Sequence, residues 1–192
     1  MLWNLSEPEQ LGRASQLARG QDVCFDLGAH AGAYSLLFAR RAGRVYAFEP
    51  HPRNIRYLHR TLELNRVRNV TVVPFAVGDQ TGPSAFQEGE HSSTGHLAAG
   101  GSLPAFAISL DEFITRYEAR PGLLKIDVEG GELGVLEGGR AFLREHRPPL
   151  LLSTHGEALK EGCLRLCREL GYARVEPLNG GLADATDLCL EA

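Results

Sequence analysis

The 192-residue chain has the length of one domain, and its 43% of apolar and 23% of charged residues are typical of a globular protein. Its formal net charge of −4 excludes a broad electrostatic attraction to nucleic acid or to an anionic membrane. Four cysteines are too few for a disulfide framework, and the sequence shows neither a signal pattern nor a bilayer-spanning apolar run, so we expect a cytoplasmic protein.

Two parts are predicted along the chain, a polar helical lead-in over residues 1–20 and one domain over residues 21–192. At the start of the domain, short apolar runs alternate with segments whose apolar residues recur at helical spacing. The predicted strands are 23–27, 44–48 and 70–73, and the predicted helices are 32–41 and 53–65. Strands that alternate with helices in this way predict βαβ units and a mostly parallel sheet.

The alternation stops at about residues 79–104, which are rich in Gly, Ser and Pro, and we interpret this stretch as an inserted hairpin or mobile loop. His91 and His96 lie in it, either as part of a lid over an acceptor or on a solvated surface. The alternation then resumes, with predicted helices at 111–117, 132–143 and 157–170 and predicted strands at 123–127 and 149–153. In the tail, Asn179-Gly180 is a hairpin signal, so we expect an antiparallel C-terminal edge.

Glycines and acids gather at the predicted ends of the first two strands. Gly28 permits a tight turn there, and Gly32 permits a close approach of the first helix. Glu49 follows the second strand roughly 20 residues later, where an acid commonly binds ribose hydroxyls. The glycine spacing differs from a dinucleotide fingerprint, and Asp26 would repel a pyrophosphate but attract a cationic sulfonium. The pattern favours S-adenosylmethionine over NAD.

Five motifs follow one another along the chain. They are Phe25-Asp26-Leu27-Gly28-Ala29, Phe48-Glu49-Pro50-His51-Pro52-Arg53-Asn54, Ala76-Val77-Gly78-Asp79, Ser109-Leu110-Asp111-Glu112-Phe113 and Lys125-Ile126-Asp127-Val128-Glu129-Gly130-Gly131-Glu132. Together they resemble the FkbM family of class I methyltransferases between about residues 22 and 155. The resemblance implies a Rossmann-like α/β fold, with helices on both faces of the sheet, and a hydroxyl acceptor, often on a sugar or secondary metabolite.

The same resemblance implies a cofactor site for S-adenosyl-L-methionine. Asp26 and Gly28 match the loop at the donor's amino-acid end, and Glu49 matches the ribose acid. Val77 would pack on the adenine ring, and Asp79 would reach one of its edge nitrogens. The family commonly has Asn at the position of His30 and Ala at that of Gly131. The predicted cofactor-binding residues are Asp26, Gly28, Ala29, His30, Gly32, Glu49, Pro50, Ala76, Val77, Asp79 and Asp127.

Methyl transfer to an alcohol needs positioning of the acceptor and removal of its proton. Ligands of open α/β sheets bind beyond the carboxyl ends of the strands, where Asp127 and His155 are expected. We expect Asp127 to orient the acceptor and His155 to be the general base, since the ordinary pKa of histidine lies near neutrality. A structural alternative is that Asp127 and Glu129 cap the next helix, with Lys125 as an ion-pair partner. No metal is predicted, although Asp127, Glu129 and His155 offer ligand atoms that suit Mg²⁺.

The sequence therefore predicts an S-adenosylmethionine-dependent methyltransferase that acts by in-line displacement on a hydroxyl of a sugar or small metabolite. Two alternatives stay open, an RNA or protein N-methyltransferase and a non-catalytic module that binds the same cofactor. The negative net charge disfavours a nucleic-acid partner, and no membrane partner is expected. The oligomeric state is not specified by the sequence.

Overall fold

The computed structural model of the chain describes residues 8–89, 95–98 and 100–192. None of the helices in these ranges has the length and apolar character needed to cross a bilayer. In chain order the elements are α1 (Pro8–Leu17), β1 (Val23–Leu27), α2 (Ala33–Ala39), β2 (Arg44–Phe48), α3 (Pro52–Leu64), β3 (Val70–Val73), β4 (Ala76–Gly78), β5 (Gly82–Gln87), β6 (His96–Leu97), β7 (Leu103–Ser109), α4 (Leu110–Tyr117), β8 (Leu123–Ile126), α5 (Glu132–Gly138), α6 (Arg140–His146), β9 (Leu150–Ser153), α7 (Glu157–Leu170), β10 (Arg174–Pro177) and β11 (Asp187–Glu191).

Seven strands form the main sheet in the order β10-β11-β9-β8-β1-β2-β3. The adjacent strands β9, β8, β1, β2 and β3 run parallel to one another. Strand β11 is antiparallel to both β9 and β10. The predicted sheet, mostly parallel with an antiparallel C-terminal edge, is confirmed. After β1 the chain adds β2 and β3 on one side, and later adds β8 on the other side. This reversal of strand order leaves a crevice at the carboxyl ends of β1 and β8, where open α/β sheets bind ligands.

Helices cover both faces of the main sheet, as predicted. Phe25 and Leu27 of β1 belong to an apolar cluster with residues of α4, α5, α6 and α7. Cys24 of the same strand packs with residues of α1 and α2, while Ala47 of β2 packs with Leu58 of α3. Because successive side chains of a strand point to opposite faces, α1–α3 cover one face and α4–α7 the other. All four cysteines are free and buried.

The predicted helix at 132–143 is two helices, and this prediction was wrong in its length. Helix α5 ends at Gly138, and Gly139 separates it from α6. A side chain at Gly138 would place its Cβ 2.0 Å from the carbonyl oxygen of Gly78, which belongs to β4. The absence of side chains at this junction lets α5 lie directly against the backbone of β4.

The predicted insertion at 79–104 is largely β structure in its described part. Strands β4, β7, β5 and β6 form a second sheet in that order, with β5 antiparallel to both β6 and β7. The hairpin interpretation therefore applies, and the sheet packs Phe86 inward at 7% exposure. The Gly, Ser and Pro content of this stretch did not predict strands, because β propensity depends strongly on tertiary context. His91 lies outside the described residues, whereas His96 begins β6.

An aromatic cluster under the sheet gives a stability prediction. The Phe113 ring of α4 lies 5.5 Å from the ring centroid of Phe25 and 4.7 Å from that of Phe48. We expect Phe113→Ala to lower the free energy of unfolding by about 3–5 kcal/mol, because it removes a buried ring and leaves a cavity. Tyr57→Ala, at a site 52% exposed, is the control and should change it by less than about 0.5 kcal/mol. Equal midpoints in urea denaturation would contradict the prediction.

Candidate active site

A cavity of about 440 Å³ opens at the carboxyl ends of β1, β2 and β8. It is enclosed on another side by the second sheet, through β4, Phe86 and β6. Its position is the topological switch point of the main sheet, and its volume lies in the range of small-molecule sites. The predicted cofactor residues that line it are Gly28, Ala29, His30, Glu49, Pro50, Ala76, Val77, Asp79 and Asp127.

The loop after β1 is held close to the neighbouring strands. Gly28 has a φ of +81°, and a Cβ at this position would lie 1.8 Å from the carbonyl oxygen of Asp127. The amides of Gly28 and Ala29 both donate to the carbonyl oxygen of Phe48, at 3.0 and 2.9 Å. A glycine is therefore required where this loop passes between β2 and β8. Gly32 does not line the cavity; it precedes α2 with a φ of +91° and faces Leu58.

Glu49 is a buried carboxylate, 4% exposed, in the cavity wall. Its Oε2 accepts a hydrogen bond from the amide of His30 at 2.8 Å. Its Oε1 accepts from the amide of His51 at 2.9 Å and from the side-chain amide of Asn54 at 3.3 Å. These donors fix the orientation of the carboxylate before any ligand binds. The predicted ribose acid is thus preorganised at the end of β2.

Asp26 lies outside the cavity lining, which corrects the expected direct contact with the donor. The strand alternation turns its side chain toward α2, where it is fully buried. Its Oδ2 accepts a hydrogen bond of 2.6 Å from Ser35, and its Oδ1 lies 3.5 Å from Nζ of Lys125. The charge of Asp26 acts on the cavity through Lys125, which does line it.

Lys125 joins three parts of the site. Its Nζ donates to the carbonyl oxygen of Gly28 at 3.0 Å and lies 3.2 Å from Oδ2 of Asp127. The ammonium group also lies 5.3 Å from the ring centroid of Tyr34, a cation–π distance. Burial disfavours its charge, but Asp127 and Asp26 outweigh that effect and raise the pKa of Lys125 above its ordinary value. The predicted ion-pair partner is therefore a fixed cation that positions Asp127.

Glu132 organises the loop after β8, a role that the sequence interpretation missed. Its fully buried carboxylate accepts hydrogen bonds through Oε1 from the amides of Val128 and Gly130, at 3.2 and 3.1 Å. The same oxygen lies 2.9 Å from Nδ1 of His155. The sequence showed only an acid in the first turn of a helix. Its contact with His155, 23 residues away, depends on the packing of α5 against α7, which begins two residues after His155.

His155 does not have the properties expected of a general base. Its hydrogen bond to Glu132, together with the charges of Glu132, Glu129 and Asp127, raises the pKa of the imidazole to about 9 against the effect of burial. At neutral pH the ring is protonated and has no free lone pair to accept a proton. His155 also does not line the cavity. We therefore correct the base assignment, whereas Asp127 does line the cavity, as expected.

Glu129 adds a second carboxylate to the same part of the cavity. It has a left-handed backbone with a φ of +55°, and its Oε2 lies 3.3 Å from Nε2 of His155. Burial raises the pKa of Glu129, and repulsion by Asp127 and Glu132 adds to this, although His155 opposes it. Asp127 and Glu129 together present two acidic groups to a ligand.

The imidazole of His30 gives a prediction about stability and pH. Burial lowers its pKa below the ordinary 6.5, and Lys125 and Arg53 add to that effect against the opposing charges of Glu49 and Asp127. As pH falls, this imidazole is therefore protonated at a higher pH in the unfolded chain than in the folded one. Stability is lost as pH falls below about 6.5. His30 has a φ of +47°, which Asn tolerates, so His30→Asn is a matched variant. We expect Tm to fall less in this variant than in the parent between about pH 7.5 and pH 5.5. An equal fall in both proteins would contradict the prediction.

The sequence profile of the methyltransferase FkbM domain matches residues 26–173. The chain belongs to the FkbM methyltransferase family. The hexuronic acid methyltransferase AglP of Haloferax volcanii is 32% identical over 126 residues, which cover 63% of this chain and 51% of AglP. The tRNA (guanine(37)-N(1))-methyltransferase Trm5b of Pyrococcus abyssi is 36% identical over 61 residues, which cover 32% of this chain and 18% of Trm5b. This FkbM-family chain thus spans about half the length of AglP and less of Trm5b.

Structural similarity confirms the class I methyltransferase fold. A Streptococcus mutans protein, crystallised in complex with SAH, superimposes with a TM-score of 0.61 at 14% identity. The match covers 100% of the FkbM-family chain and 99% of the S. mutans protein. The predicted Rossmann-like architecture is therefore confirmed for the described residues.

Proposed function

We propose that the chain transfers a methyl group from S-adenosyl-L-methionine to a hydroxyl of a sugar or small metabolite. The observation that carries this proposal is that one cavity is lined by carboxylates in two separate places. Glu49, fixed by three donors, is suited to ribose hydroxyls, and Asp127 with Glu129 forms a separate acidic pair after β8. Membership of a methyltransferase family supports the reaction, and the name of AglP supports a sugar acceptor.

The donor would occupy the part of the cavity between the loop after β1 and the strand β4. The loop at 28–30 brings backbone close to the donor's amino-acid end, and Glu49 accepts hydrogen bonds from the ribose. Val77, 5% exposed, offers an apolar surface to adenine, and Asp79 offers an acceptor for its amino group. Asp26 and Gly32 lie outside the cavity lining, so they would support this loop without contacting the donor.

The acceptor would lie against Asp127 and Glu129. S-adenosyl-L-methionine supplies an activated methyl group on a sulfonium, so the chain must mainly position the acceptor oxygen in line. Carboxylates accept hydrogen bonds from hydroxyls, and Lys125 fixes Oδ2 of Asp127 on one side. The hydroxyl proton would pass to a carboxylate of this pair as the oxygen–carbon bond forms and the methyl–sulfur bond of the sulfonium breaks, which leaves S-adenosylhomocysteine as the second product.

A methyl-transfer assay with a labelled donor tests the proposed reaction. The acceptors to compare are a glycan that contains a uronic acid, a neutral sugar with a vicinal diol, and an unmodified tRNA. Labelled product with either sugar supports the proposal. Label transferred to tRNA alone would replace it with the RNA alternative, and donor binding without transfer to any acceptor would favour the non-catalytic module.

A further inference from the structure

Three side chains with metal-binding atoms converge at the edge of the cavity. Ligand atoms of Asp127, Glu129 and His155 all lie within 4.8 Å of one another. Nε2 of His155 is 3.3 Å from Oε2 of Glu129 and 3.8 Å from Oδ1 of Asp127. In an octahedral site with bonds of about 2.1 Å, adjacent ligand atoms are ~3 Å apart and opposite ones ~4.2 Å apart. The three atoms are therefore close to the spacing that one bound cation requires.

A residue outside this set of three fixes the orientation of the imidazole. Nδ1 of His155 lies 2.9 Å from the fully buried carboxylate of Glu132, so Nε2 is turned toward Asp127 and Glu129. Metal-binding histidines commonly donate their second ring nitrogen to a carboxylate in this way. Glu132 also holds the amides of Val128 and Gly130, so the same side chain fixes the loop that carries Glu129.

The charges around this cluster are unbalanced. In the part of the chain that the structure describes, the ion pairs of this region join four carboxylates, those of Asp26, Asp127, Glu129 and Glu132, to two cations, Lys125 and His155. The buried Oε2 of Glu132 accepts no hydrogen bond from the described part of the chain. A divalent ion that takes the place of the proton on Nε2 would halve this excess of negative charge.

A second cluster of possible ligands provides a comparison. Glu176, Cys189 and Glu191 satisfy the same distance criterion. The guanidinium of Arg13 already lies there, 3.2 Å from Glu176 and 2.6 Å from Glu191. The guanidinium of Arg13 already pairs with both carboxylates of this cluster, so we do not propose a metal ion there.

We propose that Asp127, Glu129 and His155 bind a divalent cation of the Mn²⁺ or Mg²⁺ type. Two carboxylates suit these oxygen-preferring ions, and the imidazole favours Mn²⁺. Three protein ligands leave coordination positions for two oxygens of the acceptor, such as those of a vicinal diol. That last step rests on the proposed function, whereas metal binding itself does not.

Titration of the chelator-treated chain with Mn²⁺, followed by electron paramagnetic resonance of the free ion, tests the site without donor or acceptor. We expect one bound Mn²⁺ per chain. His155→Ala and Glu129→Gln should each weaken binding by about tenfold or more. Glu176→Gln, in the cluster that Arg13 occupies, is the matched control and should leave the Kd unchanged. Circular dichroism of each variant checks that it is folded.

The possible outcomes separate the metal site from the proposed function. No bound Mn²⁺, or the same Kd in the parent and both ligand variants, overturns the metal site. Calorimetry with S-adenosylhomocysteine is run on the same samples. If the cofactor product binds and Mn²⁺ does not, the metal site alone is wrong. If Mn²⁺ binds and no acceptor is methylated, the metal site stands and the proposed reaction fails.

Discussion

Asp127→Asn is expected to lower the rate of methyl transfer by about 100-fold or more, because positioned proton-accepting groups contribute on that scale. The substitution keeps the size of the side chain and removes the charge that faces both Lys125 and the cavity. We expect the affinity for S-adenosylhomocysteine to change by less than about threefold, because Asp127 is proposed to contact the acceptor and not the donor. Steady-state kinetics and calorimetry on the same preparation measure the two effects.

The control for this variant is Asp184→Asn, which makes the same chemical change at an exposed position away from the cavity. It should leave both the rate and the affinity unchanged. A normal rate in Asp127→Asn would rule out the proposed role of Asp127 in orienting the acceptor. An equal loss of rate and of cofactor affinity would place the residue at the donor instead.

Glu49→Gln is expected to weaken the binding of S-adenosylhomocysteine by about 10- to 100-fold, because hydrogen bonds to a charged group contribute roughly 1.5–3 kcal/mol. The new amide nitrogen would also face a backbone donor, either that of His30 or that of His51. The loop after β1 would then lose part of its fixed geometry. Both effects act on the donor and leave the acidic pair after β8 intact.

Glu63→Gln is the control for this second variant, since the side chain of Glu63 is 71% exposed in α3. Calorimetry should give the same Kd for it as for the parent. If Glu49→Gln also binds with an unchanged Kd, Glu49 does not bind the ribose. Thermal unfolding of both variants distinguishes a local loss of affinity from a general loss of structure.

Much of the main sheet could be predicted because its determinants are local. The apolar run at 23–27 coincides with β1, and the helical spacing at 53–65 coincides with α3 to within one residue at each end. Each pattern is contained in one short segment of sequence. The second sheet could not be predicted in the same way. Strand β5 contains Gly, Pro and Ser, which do not favour a strand, and it becomes one by pairing with β7 across the insertion.

The roles of individual acids depended on long-range packing. Asp26 stands at the predicted strand end, but the pleat turns it away from the cavity and against Ser35 and Lys125. His155 has an ordinary pKa near neutrality in isolation, and three acids in the fold raise it to about 9. Glu132 looked like a helix-start residue, and its contact to His155 exists only once α5 packs beside α7.

The sequence by itself determined the order of the strands of the main sheet and the positions of Gly28 and Glu49, since these follow from periodicity and from backbone requirements within short segments. The resemblance of its ordered motifs indicated the family. The tertiary structure decided which acids reach the cavity and which are neutralised behind it. The physical reason is that the pKa and the orientation of a side chain depend on burial and on charges brought together from distant segments, here from β1, β8, α5 and the loop after β9.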